Sequence, residues 1–176
     1  APSILDEKKI ASLASGLALE FVDSGIETKI LYRGDDCSNA IRSEACGVAA
    51  SKIAVYESVR SELLSCQRNF AVLPGLIADG RDMGTVVFPA ADLKIFLTAT
   101  SEERASRRYK QLIKKGIDAS LPALLRDIRE RDERDINRAQ SPLKASDDAV
   151  LIDTSNLGIE EVMLKVRQIV KIRGLA

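Results

Sequence analysis

The spacing of hydrophobic positions divides the chain into helical and extended segments. Apolar residues three and four positions apart predict helices over 3–16, 39–54, 56–72, 100–115, 121–138 and 159–173. Short apolar runs bounded by glycine, serine or aspartate predict strands over 17–23, 27–33, 76–79, 93–98 and 149–152. In the second half, strands alternate with helices, which is typical of a parallel sheet. We therefore expect an α/β fold whose first third is a small α+β unit.

Local signals place the boundaries of the two most polar helices. Thr100 is followed three residues later by Glu103, which predicts a capping box at the start of helix 100–115. Gly116 is expected to end that helix. Ser120 is predicted to cap the next helix, and Pro122 lies in its first turn, where proline is tolerated.

Composition removes several classes of chemistry. The 176 residues contain no histidine, which excludes histidine bases, Ser-His-Asp triads and ordinary zinc sites. The 26 basic and 26 acidic residues cancel, so we expect no nucleic-acid surface. No apolar run approaches the roughly 18 residues of a membrane span, and the three cysteines form no C-x-x-C pair, so we expect reduced thiols in a cytoplasmic protein without a membrane segment.

The loop that follows predicted strand 76–79 concentrates charge at a strand end. Its residues Asp79, Arg81 and Asp82 are interspersed with Gly80 and Gly84. Ligands of open α/β sheets bind at the carboxyl ends of strands, so this composition predicts a phosphate or metal–phosphate site. Asp79 follows its strand as a Walker-B-type aspartate does, and such a residue holds Mg²⁺ directly or through water. The alternative is a carboxylate that only caps a turn.

A run of charge occupies residues 126–135, in which nine of ten residues are charged. On a helix, Arg131, Asp135 and Arg138 share one face because they lie at positions i, i+4 and i+7. Two arginines beside one aspartate can fork onto a phosphate while the carboxylate takes a sugar hydroxyl. The alternative is a solvated face with i,i+4 ion pairs.

Helix 100–115 carries Arg104, Arg107 and Arg108 near its beginning. Cations in a first turn oppose the helix dipole, so several of them suggest an external anion such as a triphosphate. The alternative is an ordinary surface helix rich in lysine and arginine.

Together these segments resemble bacterial cytidylate (CMP) kinase, a member of the nucleoside monophosphate kinase group. The resemblance covers essentially the whole chain. It is carried by residues 73–88, 94–97, 101–105, 107–108, 130–132, 134–135, 137–139 and 142–143. It implies Mg²⁺-dependent phosphoryl transfer from ATP to CMP or dCMP, giving ADP and CDP or dCDP, by a protein that is a monomer when full length. Its fold would be a parallel-sheet P-loop kinase core (66–176) with a CMP-binding insertion (1–65) and a short helical lid (about 104–120).

The resemblance also assigns roles to individual residues. It implies that Ser51, Arg60 and Asp82 read the cytosine edge. The phosphate of CMP would be clamped by Arg81 and Arg131, with Asp79 near the metal. It further implies that Asp135 binds the sugar hydroxyls and that Arg138 lies on the base or phosphate side. Three residues, Arg104, Arg107 and Arg108, would form the lid over the ATP phosphates.

One family feature is missing from the sequence. No G-x-x-x-x-G-K-[ST] string is present, and neither is the Asp-Ser-Gly segment with its Tyr-Arg pair that follows the family's first helix; the Asp23-Ser24-Gly25 string here lies in the predicted insertion. We therefore expect a truncated chain with an open slot between strands 76–79 and 149–152 and negligible kinase activity in a coupled assay. The alternatives are an inactive remnant that still binds nucleotide and an interaction protein that docks through the slot.

Overall fold

The computed structural model describes residues 6–23, 25, 27–137, 139 and 142–175, which form two compact units. Of the described residues, unit 1 comprises those up to residue 79 together with residue 139, and unit 2 comprises 80–137 and 142–175. Unit 1 combines helices with an antiparallel sheet, and unit 2 combines helices with a parallel strand pair. The expected α/β fold class is confirmed.

Unit 1 contains a three-stranded antiparallel sheet. Its strands are β1 (Leu19–Asp23), β2 (Thr28–Tyr32) and β3 (Asp35–Asp36). The register of β1 and β2 runs from Leu19 opposite Tyr32 to Asp23 opposite Thr28. Arg33 and Gly34 join β2 to β3 with φ angles of 53° and 87°, the left-handed backbone that a tight two-residue hairpin turn requires. The sequence predicted a turn there but not the short strand after it.

Unit 1 also contains four helices among its described residues. They are α1 (Glu7–Ser15), α2 (Ser38–Ile41), α3 (Glu44–Ile53) and α4 (Glu57–Asn69). α1 packs against α4, where Val59 is almost fully buried and Ser58 Oγ donates to Glu7 Oε1 at 2.6 Å. The single helix predicted over 39–54 is wrong, because Ser43 has extended backbone and its Oγ caps α3 by accepting from the N–H of Cys46.

Unit 2 contains a parallel strand pair, a π-helical turn and three helices among its described residues. The strands are β4 (Ile95–Thr98) and β5 (Val150–Asp153), the turn is Met83–Val87, and the helices are α5 (Ser101–Lys114), α6 (Leu121–Asn137) and α7 (Ile159–Ile172). The strand register runs from Ile95 opposite Val150 to Thr98 opposite Asp153. Parallel pairing brings both carboxyl ends to one edge, where α5 begins.

The buried apolar residues of unit 2 come from the π-helical turn, α5, α6 and β5. Val87 of the turn, Ala105 of α5, Leu124 of α6 and Ile152 of β5 are each less than one-tenth exposed. Thr100 caps α5 by accepting from the N–H of Glu103, as the sequence predicted. These contacts hold α5 and α6 side by side and position the charged residues described below.

The strand predicted over 76–79 is not formed. These residues have irregular backbone, and Ile77 is fully exposed. An extended segment becomes a strand only when a neighbour accepts and donates its backbone hydrogen bonds. The described part of the chain supplies no such neighbour to 76–79. The apolar run at 76–79 was therefore not sufficient to predict a strand.

The second strand pair is less buried than its apolar sequence suggested. In β5 only Ile152 is buried, whereas Leu151 is 63% exposed and Leu97 of β4 is 55% exposed.

Cys37, Cys46 and Cys66 are free thiols of intermediate exposure, so they form no disulfide with one another and are not deeply buried. No described helix is both long enough and apolar enough to cross a bilayer.

Candidate functional site

Two arginines in unit 2 converge on one buried carboxylate. Asp135 on α6 is 3% exposed. Its Oδ2 accepts a hydrogen bond from Arg81 Nε at 3.2 Å and lies 3.8 Å from Arg131 Nε. Arg131 precedes Asp135 by four residues, so the helix itself brings this pair together. The pairing predicted from residue spacing on α6 is thus present, and the loop before the π-helical turn adds a second guanidinium.

The orientation of these two guanidinium groups leaves their outer ends unoccupied. Arg81 and Arg131 both direct Nε toward Asp135, and each side chain is about two-fifths exposed. Among the described residues, neither has a hydrogen-bond partner on its Nη atoms. A guanidinium offers parallel N–H donors that match the oxygens of a phosphate. The arrangement is therefore chemically suited to clamp a phosphate between two forks oriented by one carboxylate.

Asp82 lies next to Arg81 and begins the π-helical turn. It is 8% exposed, and its backbone carbonyl accepts from the N–H groups of Val86 at 2.9 Å and Val87 at 3.2 Å. Gly84 in this turn is close to Lys94, since a Cβ there would lie 3.1 Å from Lys94 Cδ. The turn therefore holds Asp82 in a buried position directly after Arg81, and the sequence did not predict this geometry.

A second ion pair joins α5 to α6. Arg104 donates from Nη1 to Asp132 Oδ1 at 2.9 Å and from Nη2 to Asp132 Oδ2, and Nη2 also donates to Ser101 Oγ at 3.1 Å. Burial alone would raise the pKa of Asp132. The hydrogen bonds and charge of Arg104, followed by the charge of Arg81, outweigh that effect and hold this pKa below its usual range.

The depressed pKa of Asp132 predicts a loss of stability in acid. Because its folded-state pKa lies below the unfolded value of about 3.9, the carboxylate stabilises the fold above that value and loses this effect as the pH falls through the folded pKa. We expect the free energy of unfolding to decline below about pH 4 and the decline to be shallower in Asp132→Asn. Urea unfolding of both proteins across this range checks it, and equal slopes would contradict it.

Arg107 of α5 is engaged within unit 2. Arg107 donates from Nε to Glu103 Oε1 at 2.8 Å, from Nη1 to Thr154 Oγ1 at 3.1 Å, and from Nη2 to the carbonyls of Thr154 and Leu157. These bonds tie α5 to the segment after β5. Arg108 also has an interaction partner. The lid role implied for these arginines stays a prediction, and Arg104 and Arg107 have internal partners for their guanidinium groups.

The other predicted residues lie in unit 1 or outside the described chain. Ser51 on α3 is 7% exposed, and its Oγ is a buried hydroxyl without a hydrogen-bond partner. Arg60 lies on α4 and has an interaction partner. Asp79 is an exposed residue of irregular backbone at the end of unit 1. Arg138, predicted on the face of Arg131, lies outside the described residues.

Comparison with known proteins finds cytidylate kinases that are similar to this chain over most of its length. A sequence profile described as "Cytidylate kinase" matches residues 2–172. A cytidylate kinase of Shewanella denitrificans is 53% identical over 168 residues, covering 94% of this chain and 74% of that protein. Cytidylate kinases of Aeromonas salmonicida and Nitrosomonas eutropha are 52% and 53% identical over 91% and 92% of this chain and 70% of their own lengths.

The chain belongs to the cytidylate kinase family. The family is one of ATP-dependent nucleoside monophosphate kinases, which agrees with a site built from guanidinium groups and lacking histidine. Phosphoryl transfer needs positioning and charge compensation more than a nucleophilic side chain. Residue spacing did not reveal the position of Asp132 in this cluster, because its partner Arg104 lies on another helix.

The acidic side chains of the chain decide how it could bind the metal ion of a cytidylate kinase. Among the described residues, no three acidic or cysteine side chains come together as a metal cage. Mg²⁺ in phosphoryl-transfer enzymes retains waters and phosphate oxygens and needs only one or two carboxylates. A single acidic residue such as Asp79 therefore fits a metal that is carried by the nucleotide, but not a site preformed by the protein.

Proposed function

We propose that this chain binds CMP or dCMP as the phosphoryl acceptor and that the reaction is ATP + CMP ⇌ ADP + CDP. The observation that carries the proposal is the pair of guanidinium groups on Asp135. Arg81 and Arg131 direct Nε toward one carboxylate and have outer nitrogens free of described protein partners. Their outer nitrogens would hold the phosphate of CMP.

The electrostatic balance of the cluster supports this assignment. Three guanidinium groups (Arg81, Arg104, Arg131) face two carboxylates (Asp132, Asp135), which leaves one net positive charge. A phosphate monoester would compensate that charge. Acceptor binding of this kind lowers the entropic cost of transfer by fixing the attacking oxygen relative to its donor.

The contacts to the base are proposed from the hydrogen-bonding groups that cytosine presents. Cytosine presents an amino donor and two acceptors, which suit a carboxylate, a hydroxyl and a guanidinium. The buried hydroxyl of Ser51 lacks a protein partner, so a base that hydrogen-bonds it would remove a desolvation cost. Arg60 and Asp82 are the other proposed base contacts, Asp135 is proposed for the sugar hydroxyls, and Arg138 stays a prediction.

Mg²⁺ is the proposed cofactor, with Asp79 as its contact directly or through water. When bound, Mg²⁺ supplies charge neutralisation on the transferring phosphates. The proposed lid residues over the ATP phosphates are Arg104, Arg107 and Arg108. In the structure Arg104 and Arg107 use their Nη atoms on Asp132 and Thr154, and Arg108 also has an interaction partner.

Titration calorimetry with nucleotides tests the proposal directly. We expect the 176-residue chain to bind CMP and to bind cytidine at least roughly 30-fold more weakly, because two charge-assisted contacts depend on the phosphate. UMP and AMP serve as matched monophosphates with different base edges. Equal affinity for CMP and cytidine would contradict a phosphate clamp, and equal affinity for all three monophosphates would contradict the base contacts.

A second candidate function is nucleotide binding without transfer. It is favoured by one observation, that the 176 residues contain no G-x-x-x-x-G-K-[ST] string to cradle a triphosphate. The same calorimetry with ATP separates the two functions. Binding of CMP without ATP supports the binding module, whereas binding of both, followed by CMP-dependent ADP formation, supports the kinase.

A further inference from the structure

The arginines of unit 2 differ in which end of the guanidinium is occupied. Arg81 and Arg131 direct Nε toward a carboxylate and leave their Nη atoms without a described protein partner. Arg104 differs in that both of its Nη atoms are bonded to Asp132 and Ser101. A phosphate could take the fork of Arg104 only by displacing Asp132. Arg104 is therefore arranged to hold a protein carboxylate.

The Arg104–Asp132 pair fixes the orientation of α6 relative to α5. Bidentate pairing constrains both the distance and the orientation of the two groups. The Asp132 side chain is 17% exposed, and Ser101 Oγ donates to Asp132 Oδ2 at 3.5 Å. The residues joined to Asp132 come from the first turn of α5. A rotation of α6 about its axis would break these contacts.

Asp132 lies within one helical turn of both clamp residues on α6. Arg131 precedes it directly, and Asp135 follows it by three residues. Arg81 donates to Asp135, and its charge also helps to lower the pKa of Asp132. A rotation of α6 would move Arg131 and Asp135 together, and it would change the distance from Asp135 to the guanidinium group of Arg81, which lies outside α6.

We propose that Asp132 is a positioning residue that, bound to Arg104 and Ser101, holds α6 in the setting that brings Arg131 and Asp135 to Arg81. In this proposal Arg104 acts through Asp132 and makes no contact with nucleotide. The inference rests on the proposed function in one respect, the expectation that Arg81 and Arg131 bind the phosphate of CMP.

Two variants and a matched control test this role. Asp132→Asn removes the charge, and Arg104→Lys keeps the charge but removes the fork. Glu102→Gln is the control, because Glu102 pairs with Arg129 across the same two helices but both side chains are more than half exposed. We expect each of the first two variants to weaken CMP binding roughly tenfold. Their double variant should be no weaker than either single variant, and the control should stay within about twofold of the parent.

The Nε–Hε NMR signal of Arg81 provides a readout that does not need a ligand. We expect this signal to shift in Asp132→Asn and in Arg104→Lys, because it reports how closely Asp135 on α6 approaches Arg81, and to stay unchanged in Glu102→Gln. Unfolding curves separate a positioning role from a structural one. Lower stability with an unchanged signal and unchanged affinity in the folded protein would overturn the inference.

The remaining outcomes separate this inference from the proposed function. If the parent chain does not bind CMP, the proposed function fails, and the Nε signal of Arg81 alone still supports or overturns the positioning role. If Arg104→Lys leaves CMP binding intact, or if the effects of the two variants multiply in the double variant, Arg104 and Asp132 act independently and the inference is wrong.

Discussion

Replacing Arg131 with glutamine is expected to weaken CMP binding by roughly 30- to 150-fold. The physical reason is the loss of charge-assisted hydrogen bonds to phosphate, which are worth about 2 to 3 kcal/mol. Arg131 Nε lies 3.8 Å from Asp135 Oδ2, so its outer nitrogens are oriented away from that carboxylate. Titration calorimetry on the folded variant measures the change directly.

Arg126 provides the matched control for this substitution. It lies on the same helix, its side chain is 69% exposed, and its carboxylate partner is the neighbouring Asp127 at 3.8 Å. Arg126→Gln changes the net charge of the chain by the same amount as Arg131→Gln. A general electrostatic attraction of nucleotide would weaken binding equally in both variants, and that result would contradict a specific clamp at Arg131.

Cytidine separates a phosphate contact from an indirect effect in the same variant. If Arg131 binds the phosphate, Arg131→Gln should lower affinity for CMP while leaving affinity for cytidine within about twofold. A parallel loss for both ligands would show that the substitution disturbs the base contacts or the fold. Arg81→Gln should repeat the CMP-specific pattern, because Arg81 approaches the same carboxylate from a different segment of the chain.

Local chemistry explains why some features could be predicted from the sequence. The start of α5 follows from Thr100 and its contact with the Glu103 N–H, which needs only neighbouring residues. The Arg131–Asp135 pair follows from the helical repeat once α6 is assigned. The strand at 150–153 was marked by its apolar run and by the aspartate that ends it.

Features that depend on residues distant in the sequence were not accessible in this way. The apolar run at 76–79 predicts a strand, but a strand also requires a hydrogen-bonding neighbour, and none is present among the described residues. The contact of Arg104 with Asp132 joins residues 28 positions apart on two helices, so no spacing within one element indicates it. The resemblance to cytidylate kinases implied a nucleotide role for Arg104, which stays a prediction, and it did not indicate the carboxylate partner.

Replacing Asp135 with asparagine is expected to lower the free energy of unfolding by about 2 to 3 kcal/mol. The carboxylate is 3% exposed and faces two guanidinium groups, so the substitution leaves two positive charges close together without their shared counter-ion. Urea unfolding at neutral pH measures the loss. Glu130→Gln, an exposed change on the same helix, should alter stability by no more than about 0.5 kcal/mol.

Added phosphate tests whether those two guanidinium groups form an anion site. A phosphate ion that binds the folded state raises stability in proportion to its affinity for that state. In Asp135→Asn the cluster carries one more positive charge than in the parent, so inorganic phosphate should recover a larger part of the lost stability than it adds to the parent. Sodium chloride at equal ionic strength controls for screening of the repulsion between Arg81 and Arg131. Equal recovery by both salts would show that the arginines repel each other without forming a phosphate site.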